Sequence, residues 1–400
     1  MQRHAVLILG GGSAGITVAA RLKRADRNLD VAIIEPSKDH YYQPLWTLVG
    51  GGVATVEETR RDEAKLIPRG VTWIQQYADQ IDPDAKTVTL RDGSAVAYEQ
   101  LIVALGISLD WAAIDGLKEA IGHDGVVSNY LPETAEATWR ELSSFQGGTM
   151  IFTNPSGQIK CGGAPQKIMY LAEDYTRKQG LRDKTHIIGA FAGTVMLGVP
   201  EINATLNNIV EQRGIDMRFR HDLVAIDGPN KKATFAQLDE PEGARVTLDF
   251  HFIHVTPPMH APDVVRNSPL AVADGPHVGF ADVNIETLQH LRYPDVFALG
   301  DVAALPTAKT GAAVRKQAPV VVSQLMAHRA GLTSSKAYDG YSSCPLVTGY
   351  GRLVLAEFLY DNKYKPTFPI DQTKERWDMY MLKRHLLPQM YWHGMLRGIA

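Results

Sequence analysis

The tract Gly10-Gly11-Gly12-Ser13-Ala14-Gly15 limits what this chain can fold into more than any other stretch, because of what flanks it. Residues 6–9 (VLIL) are wholly apolar, the pattern of a central parallel strand buried on both faces. An Ala-rich amphipathic stretch follows at 17–25, and residues 31–34 (VAII) read as a second buried strand, closed by Glu35. A lone G-x-G-x-x-G is weak, since Gly-rich turns are common. Strand, glycines, helix, strand and acid in this order predict a dinucleotide site. Of Gly10, Gly12 and Gly15, one serves the tight turn, one the close approach of pyrophosphate and one helix–strand packing. Ser13 and Ala14 belong to the same turn. The helix N-terminus then faces the phosphates, and Glu35 accepts hydrogen bonds from ribose hydroxyls.

A chain of 400 residues is too long for one ordinary core and suggests two or three domains. Its 45% apolar and 21% charged residues belong to a folded globular protein and exclude a disordered one. A net charge of −3 without a dense Lys/Arg run argues against nucleic acid as a main partner. No uninterrupted apolar stretch reaches the length of a membrane span. Met1-Gln2-Arg3-His4 runs straight into the first strand, so no signal peptide is expected and the cytoplasmic face is the expected location. The two cysteines, Cys161 and Cys344, are too few for a cysteine-based zinc or iron–sulfur site, and no metal is expected.

Residues 36–46 are turn-rich and aromatic and do not suit a regular helix, while Gly50-Gly51-Gly52 lets the backbone approach something closely. Residues 71–74 read as a strand leading to Tyr77 and Ala78. Residues 87–90 and 94–98, joined by Asp92-Gly93, read as a hairpin, and 101–106 as another buried strand ending at Gly106. A second α/β unit begins near Val126, with strands at 149–153, 186–189, 217–220 and 246–253 and helices at 165–179 and 201–212. Its strands are followed by Asn154-Pro155-Ser156-Gly157-Gln158 and by Gly189-Ala190-Phe191-Ala192-Gly193. Phe191 stands where a glycine would admit pyrophosphate, so this unit is not expected to hold NAD(P) in the usual way. Residues 296–301 return to the first unit as a strand ending in Gly300-Asp301, and a loop through Thr310 leads to a helix from Gly311 to His328. A carboxylate there suits the ribityl chain and pyrimidine edge of a flavin, and the helix N-terminus suits negative charge on the reduced ring. A simple N-cap is the alternative role for Asp301.

The fold class expected is α/β, with two Rossmann-like dinucleotide-binding domains and a C-terminal amphipathic helical segment. Residues 1–120 and 276–335 would form the two parts of the dinucleotide-binding domain begun by the Gly-rich turn, 121–275 the second Rossmann-like domain, which lacks an NAD fingerprint, and 336–400 a C-terminal docking region.

Five tracts carry a family resemblance: HYYQPLWTLVGGG at 40–52, IKCGGAPQKIMY at 159–170, FALGD at 297–301, YSSCPLVTGY at 341–350 and TKER at 373–376. In them the chain resembles sulfide:quinone oxidoreductases of the two-dinucleotide-binding-domain flavoprotein superfamily, in the branch that includes the mitochondrial enzyme. The resemblance spans essentially the whole chain. It implies FAD, with Gln43, Ala78, Gly106, Asp301, Thr310 and Gly311 completing the site begun by the Gly-rich turn. It implies a redox-active pair, Cys161 as the flavin-facing thiolate and Cys344 as the persulfide carrier, and a positively charged substrate pocket lined by Lys167 and Lys383. The partners implied are hydrogen sulfide, a quinone (ubiquinone or menaquinone) and a small sulfur acceptor, with a homo-oligomer left open. Some bacterial relatives carry an additional conserved cysteine that this chain lacks.

The chemistry of the residues agrees. Cys161 lies just before a helix that Pro165 can start, and a helix N-terminus with Lys160 and Lys167 would lower a thiol pKa. Cys344 precedes Pro345 in a Ser/Gly-rich stretch expected as a loop that a nucleophile can reach. A disulfide between the two would be an electrophile for hydrosulfide, which leaves a persulfide on one sulfur and frees the other as thiolate. The tail at 377–400, rich in Met, Leu, Tyr and Trp, is expected as two short amphipathic helices broken by Pro388. Their interfacial aromatics suit a monotopic segment; packing on the core or on a second subunit is the alternative. Three rival functions are weaker. A single-subunit NADH:quinone oxidoreductase needs a working nucleotide loop in the second domain. A sulfide dehydrogenase with a cytochrome acceptor is normally exported. A non-catalytic flavin module has no need of the two cysteine motifs.

Overall fold

The computed structural model describes residues 1–400 and contains one mixed, mainly parallel sheet and one wholly parallel sheet, with helices packed on them. The run at 6–9 lies in the strand Gln2–Leu9, and Val6, Leu7, Ile8 and Leu9 are all wholly buried. Each such side chain contributes about 1.5–3 kcal/mol on leaving water, which places this strand in the middle of its sheet. Val31–Ile34 and Ala95–Val103 flank it in parallel, with Val71–Ile74 beyond the former. The helix expected from 17 begins at Ser13, directly after Gly12 in its extended N-cap conformation.

The hairpin arm at 94–98 and the buried strand at 101–106 are one strand, Ala95–Val103. Its first part pairs antiparallel with Thr87–Leu90, and its last part pairs in parallel with Val296–Ala298. Residues from two distant parts of the chain thus share one edge of this strand. The second sheet is parallel throughout, in the order Val126–Val127, Phe252–His254, Gly148–Asn154, Thr185–Phe191 and Asp216–Phe219. The stretch at 246–253, expected as a single strand, divides between two sheets. Arg245–Asp249 alternates exposed with half-buried residues and joins an antiparallel sheet with His221–Asp227 and Lys232–Gln237. Phe252–His254 is buried throughout and enters the parallel sheet, as strands covered on both faces do.

The helix Ala164–Lys178 has Pro165 in its first turn and packs on the hairpin of Ser342–Gly349 and Arg352–Phe358. Asp174, buried on that helix, accepts a hydrogen bond from the Tyr350 amide at 2.8 Å and pairs with Arg352 at 3.3 Å. This contact fastens the hairpin to the helix. The three glycines at 50–52 are approached by protein side chains, those of Asn129, Leu171 and Trp139.

The tail differs from expectation. It is helical from Trp377 to Arg397 without separating into two helices. Wide π turns at Leu382–Leu386 and Met390–Gly394 flank Pro388 and accommodate a residue that cannot donate to the ladder. Tyr391 and Trp392, expected as interfacial aromatics, are buried against His40 and Tyr42. Trp377 and Leu386 do face outward, 66% and 61% exposed. No helix is long and apolar enough to cross a membrane.

Candidate active site

One cavity of about 1680 Å³ runs from the Gly-rich turn to Cys161 and on to the C-terminal helical run. Gly10, Gly12, Ser13, Ala14, Glu35, Gln43, Ala78, Gly106, Asp301, Thr310 and Gly311 all line it. Gly15 does not; it packs behind the turn. The division of labour among the glycines is visible in what an added Cβ would meet. At Gly10 (φ 99°) it would strike the Ala104 carbonyl oxygen at 2.5 Å, and at Gly15 the Gly10 carbonyl oxygen at 1.8 Å. At Gly12 nothing lies within 4 Å, so this backbone presents an open face to the cavity, as pyrophosphate requires. Glu35 accepts from the Gly11 and Ser37 amides, each at 2.7 Å. Thr310 caps the helix Gly311–Arg329, its hydroxyl accepting from the Ala313 amide. The capping role considered for Asp301 therefore belongs to Thr310. Burial pushes the Asp301 carboxyl up. These residues fit an FAD.

Cys161 lines the cavity with the left-handed φ of 58°, a conformation that costs a non-glycine residue about 1–3 kcal/mol. Its amide donates to the Lys309 carbonyl at 2.8 Å, and its own carbonyl accepts from the Ala164 amide at 2.7 Å. The Cys344 sulfur lies 3.4 Å from that of Cys161, although the residues are 183 positions apart. The loop expected around Cys344 is instead the strand Ser342–Gly349, and the residue is only 2% exposed. It stands behind Cys161 and does not line the cavity. Its burial follows from a strand that is covered along almost its whole length, which the two serines before it and the proline after it obscure.

Lys167 Nζ is 3.2 Å from the Cys161 sulfur. A hydrogen bond from the Cys344 thiol, together with the Lys167 charge, holds Cys161 well below the usual thiol range. That same bond, with burial, pushes Cys344 up. Burial alone would lower Lys167, but the two sulfurs raise it. Burial and the neighbouring Lys167 bring Lys383 down to about 7; its ammonium donates to the Pro44 carbonyl at 3.0 Å. Of the two lysines expected to act on Cys161, Lys160 turns away and donates to Gln43 Oε1 at 2.8 Å. Burial lowers both Lys160 and Lys309, each to about 8.

Gly163 was not singled out from the sequence, yet it borders the sulfur pair. A Cβ there would lie 2.6 Å from the Cys344 sulfur and 2.6 Å from Leu346 Cδ2. The doubled glycine after Cys161 was the available signal. In the second unit, Phe191 is wholly buried and fills the position where a pyrophosphate-binding glycine would be needed.

Residues 4–135 match the family model described as pyridine nucleotide-disulphide oxidoreductase. Two such sheets with a C-terminal helical run define the class: the pyridine nucleotide-disulphide oxidoreductase fold. A solved structure of the sulfide:quinone oxidoreductase from Aquifex aeolicus shares it, with a TM-score of 0.83 at 21% identity over 100% of this chain and 92% of that one. Among proteins of known name, the mitochondrial sulfide:quinone oxidoreductase of Mus musculus is 44% identical over 99% of this chain and 87% of its own length. That of Dictyostelium discoideum is 42% identical over 98% and 86%. The chain belongs to the sulfide:quinone oxidoreductase family. These relatives are named mitochondrial, so they lend no support to the cytoplasmic face expected from the sequence.

Proposed function

We propose that this chain oxidises hydrogen sulfide and reduces a quinone, using FAD and the Cys161–Cys344 pair. The observation that carries the reading is the sulfur pair at 3.4 Å, with Lys167 on Cys161, set in the wall of the cavity that begins at the Gly-rich turn. The turn, Glu35, Asp301 and the helix start at Thr310 and Gly311 would hold the cofactor. Bound there, FAD supplies two-electron chemistry between the sulfur pair and a quinone.

The residues perform the rest. Lys167 and Lys383 draw hydrosulfide into the cavity by charge. The sulfurs, already in contact, need only a small side-chain movement and the loss of two electrons, which bound FAD would accept, to close to the roughly 2.05 Å of a disulfide. Hydrosulfide attacks one sulfur of that disulfide; the S–S bond breaks, a persulfide remains on the attacked cysteine, and the other leaves as thiolate. Lys167 stabilises a thiolate on Cys161, which favours Cys161 as the leaving, flavin-facing sulfur and Cys344 as the persulfide carrier. A small sulfur acceptor then takes the outer sulfur and leaves both cysteines reduced; the disulfide re-forms with the loss of two electrons, which bound FAD would take up and hand to the quinone. Leu382, Leu387, Met390 and Met395 line the same cavity and suit the apolar ring and tail of a quinone. The outward Trp377 and Leu386 suit a membrane surface, where such a quinone is dissolved.

Anaerobic addition of sulfide to the purified protein tests this reading. The flavin absorbance should bleach and return on addition of a short-chain quinone, while NADH leaves it unchanged. Cys161→Ser and Cys344→Ser should each abolish the bleaching. Bleaching that survives either substitution would overturn the reading.

A further inference from the structure

Behind the Gly-rich turn, residues that the sulfur chemistry does not use form a buried hydrogen-bonded chain. Glu63 Oε2 lies 2.9 Å from His40 Nδ1, His40 Nε2 meets the Tyr391 hydroxyl at 2.5 Å, and that hydroxyl lies 2.7 Å from Ser13 Oγ. Glu63, His40 and Tyr391 are all buried. The second Glu63 oxygen has no partner and lies under the turn, where it would be 2.5 Å from a Cβ added at Gly11. The chain therefore joins a half-satisfied carboxylate at one end to a serine lining the cavity at the other.

Hydrogen counting fixes what this chain can do. With the Glu63 carboxylate ionised and the imidazole neutral, His40 Nδ1–H donates to Glu63 and Nε2 must accept from Tyr391. Ser13 must then donate to Tyr391 and can only turn lone pairs outward, towards an anion. With one more proton on the Glu63–His40 pair, His40 Nε2–H donates to Tyr391, Tyr391 donates to Ser13, and the Ser13 hydrogen is free for a phosphate oxygen. The outcome is the same whether the added proton rests on the imidazole or on the carboxyl group.

Resting on the FAD reading above, we propose that Glu63, His40 and Tyr391 are positioning residues for the flavin pyrophosphate, and that this chain takes up one proton from solvent when FAD binds. No covalent bond other than that to the proton changes. Glu35 lies across Gly11 from the chain, Asp62 lies beside Glu63, and both favour the added proton. The Tyr42 ring packs 4.6 Å from that of Tyr391 and carries no charge. The Arg61 guanidinium, 4.9 Å over the Trp392 ring, opposes the proton. Burial also pushes the Glu63 carboxyl up, against the hydrogen bond from His40.

The test uses the holoprotein between about pH 5 and 8, where imidazole ordinarily changes charge. Phosphorus NMR of the bound flavin should show phosphate resonances that move with pH. The fluorescence of released flavin should show affinity falling up to about tenfold per pH unit, the slope of one linked proton. Tyr391→Phe keeps the ring packing but cuts the chain, so the resonances should stop moving and FAD should be held several-fold more weakly at the acidic end. His40→Gln, whose amide can donate at every pH, should restore tight binding with a flat profile. Should Tyr391→Phe fail to fold, Ser13→Ala cuts the same link from the other end. Superimposable pH profiles for wild type and the cut chain would overturn this inference and leave the flavin reading intact; protein without flavin phosphate would overturn both.

Discussion

Cys161 was legible in the sequence through the tract that holds it, but its setting was not. The left-handed backbone, the contact with Cys344 and the role of Gly163 all arise from a hairpin that lies far along the chain, so local pattern could not reveal them. Gly163→Ala places a methyl group 2.6 Å from the Cys344 sulfur, which must shift to make room. We expect it to slow sulfide-dependent bleaching at least tenfold with flavin content unchanged, measured by anaerobic stopped-flow, because a small misplacement of reacting atoms costs on the order of 100-fold in rate. Lys383, expected in the substrate pocket, lies on the cavity wall, and its depressed pKa follows from burial that spacing does not report. Its charge is present below about pH 7 and is lost as pH rises through that value. The kcat/KM for hydrosulfide, corrected for the ionisation of sulfide itself, should therefore fall above about pH 7. Lys383→Met should lower kcat/KM in acid and remove that limb of the profile.

At the scale of elements, the parallel strands were readable because burial on both faces writes continuous apolar runs, as at residues 6–9 and 31–34. Where one face is wet the reading failed. The accessory sheet at 221–249 was mostly missed, and its third strand was joined to a strand of the neighbouring sheet. Pro388 misled in another way, since it signals a break that two π turns absorb. The helix start at Thr310 and Gly311 was placed correctly, and the structure adds that Thr310 is its cap. Thr310→Ala should cost about 1 kcal/mol of stability, visible as a lower melting temperature at equal flavin loading. An unchanged melting temperature would show that neither the cap nor the Thr310 hydrogen bond to Ser342 stabilises the fold.

Across the whole molecule, the C-terminal helical run does two things at once. Its inner side closes the cavity with Leu382, Lys383, Met390 and Tyr391, and its outer side displays Trp377 and Leu386. Replacing both outward residues by Ser should reduce cosedimentation with phospholipid vesicles several-fold and slow reduction of a long-chain quinone. Turnover with a short-chain quinone should stay the same, because neither residue borders the cavity. Unaltered sedimentation would remove this face as the docking surface.

The bond between Ser13 and Tyr391 joins residues 378 positions apart. A ribosome delivers the Gly-rich turn early, at a moment when its hydroxyl partner has yet to be made, and domains ordinarily fold in the order of their synthesis. The nascent first domain can assemble its central strands, yet it cannot finish the pocket for its prosthetic group until this late segment emerges and folds back. A chain stalled short of Tyr391 would therefore carry a pocket still open at the phosphate end.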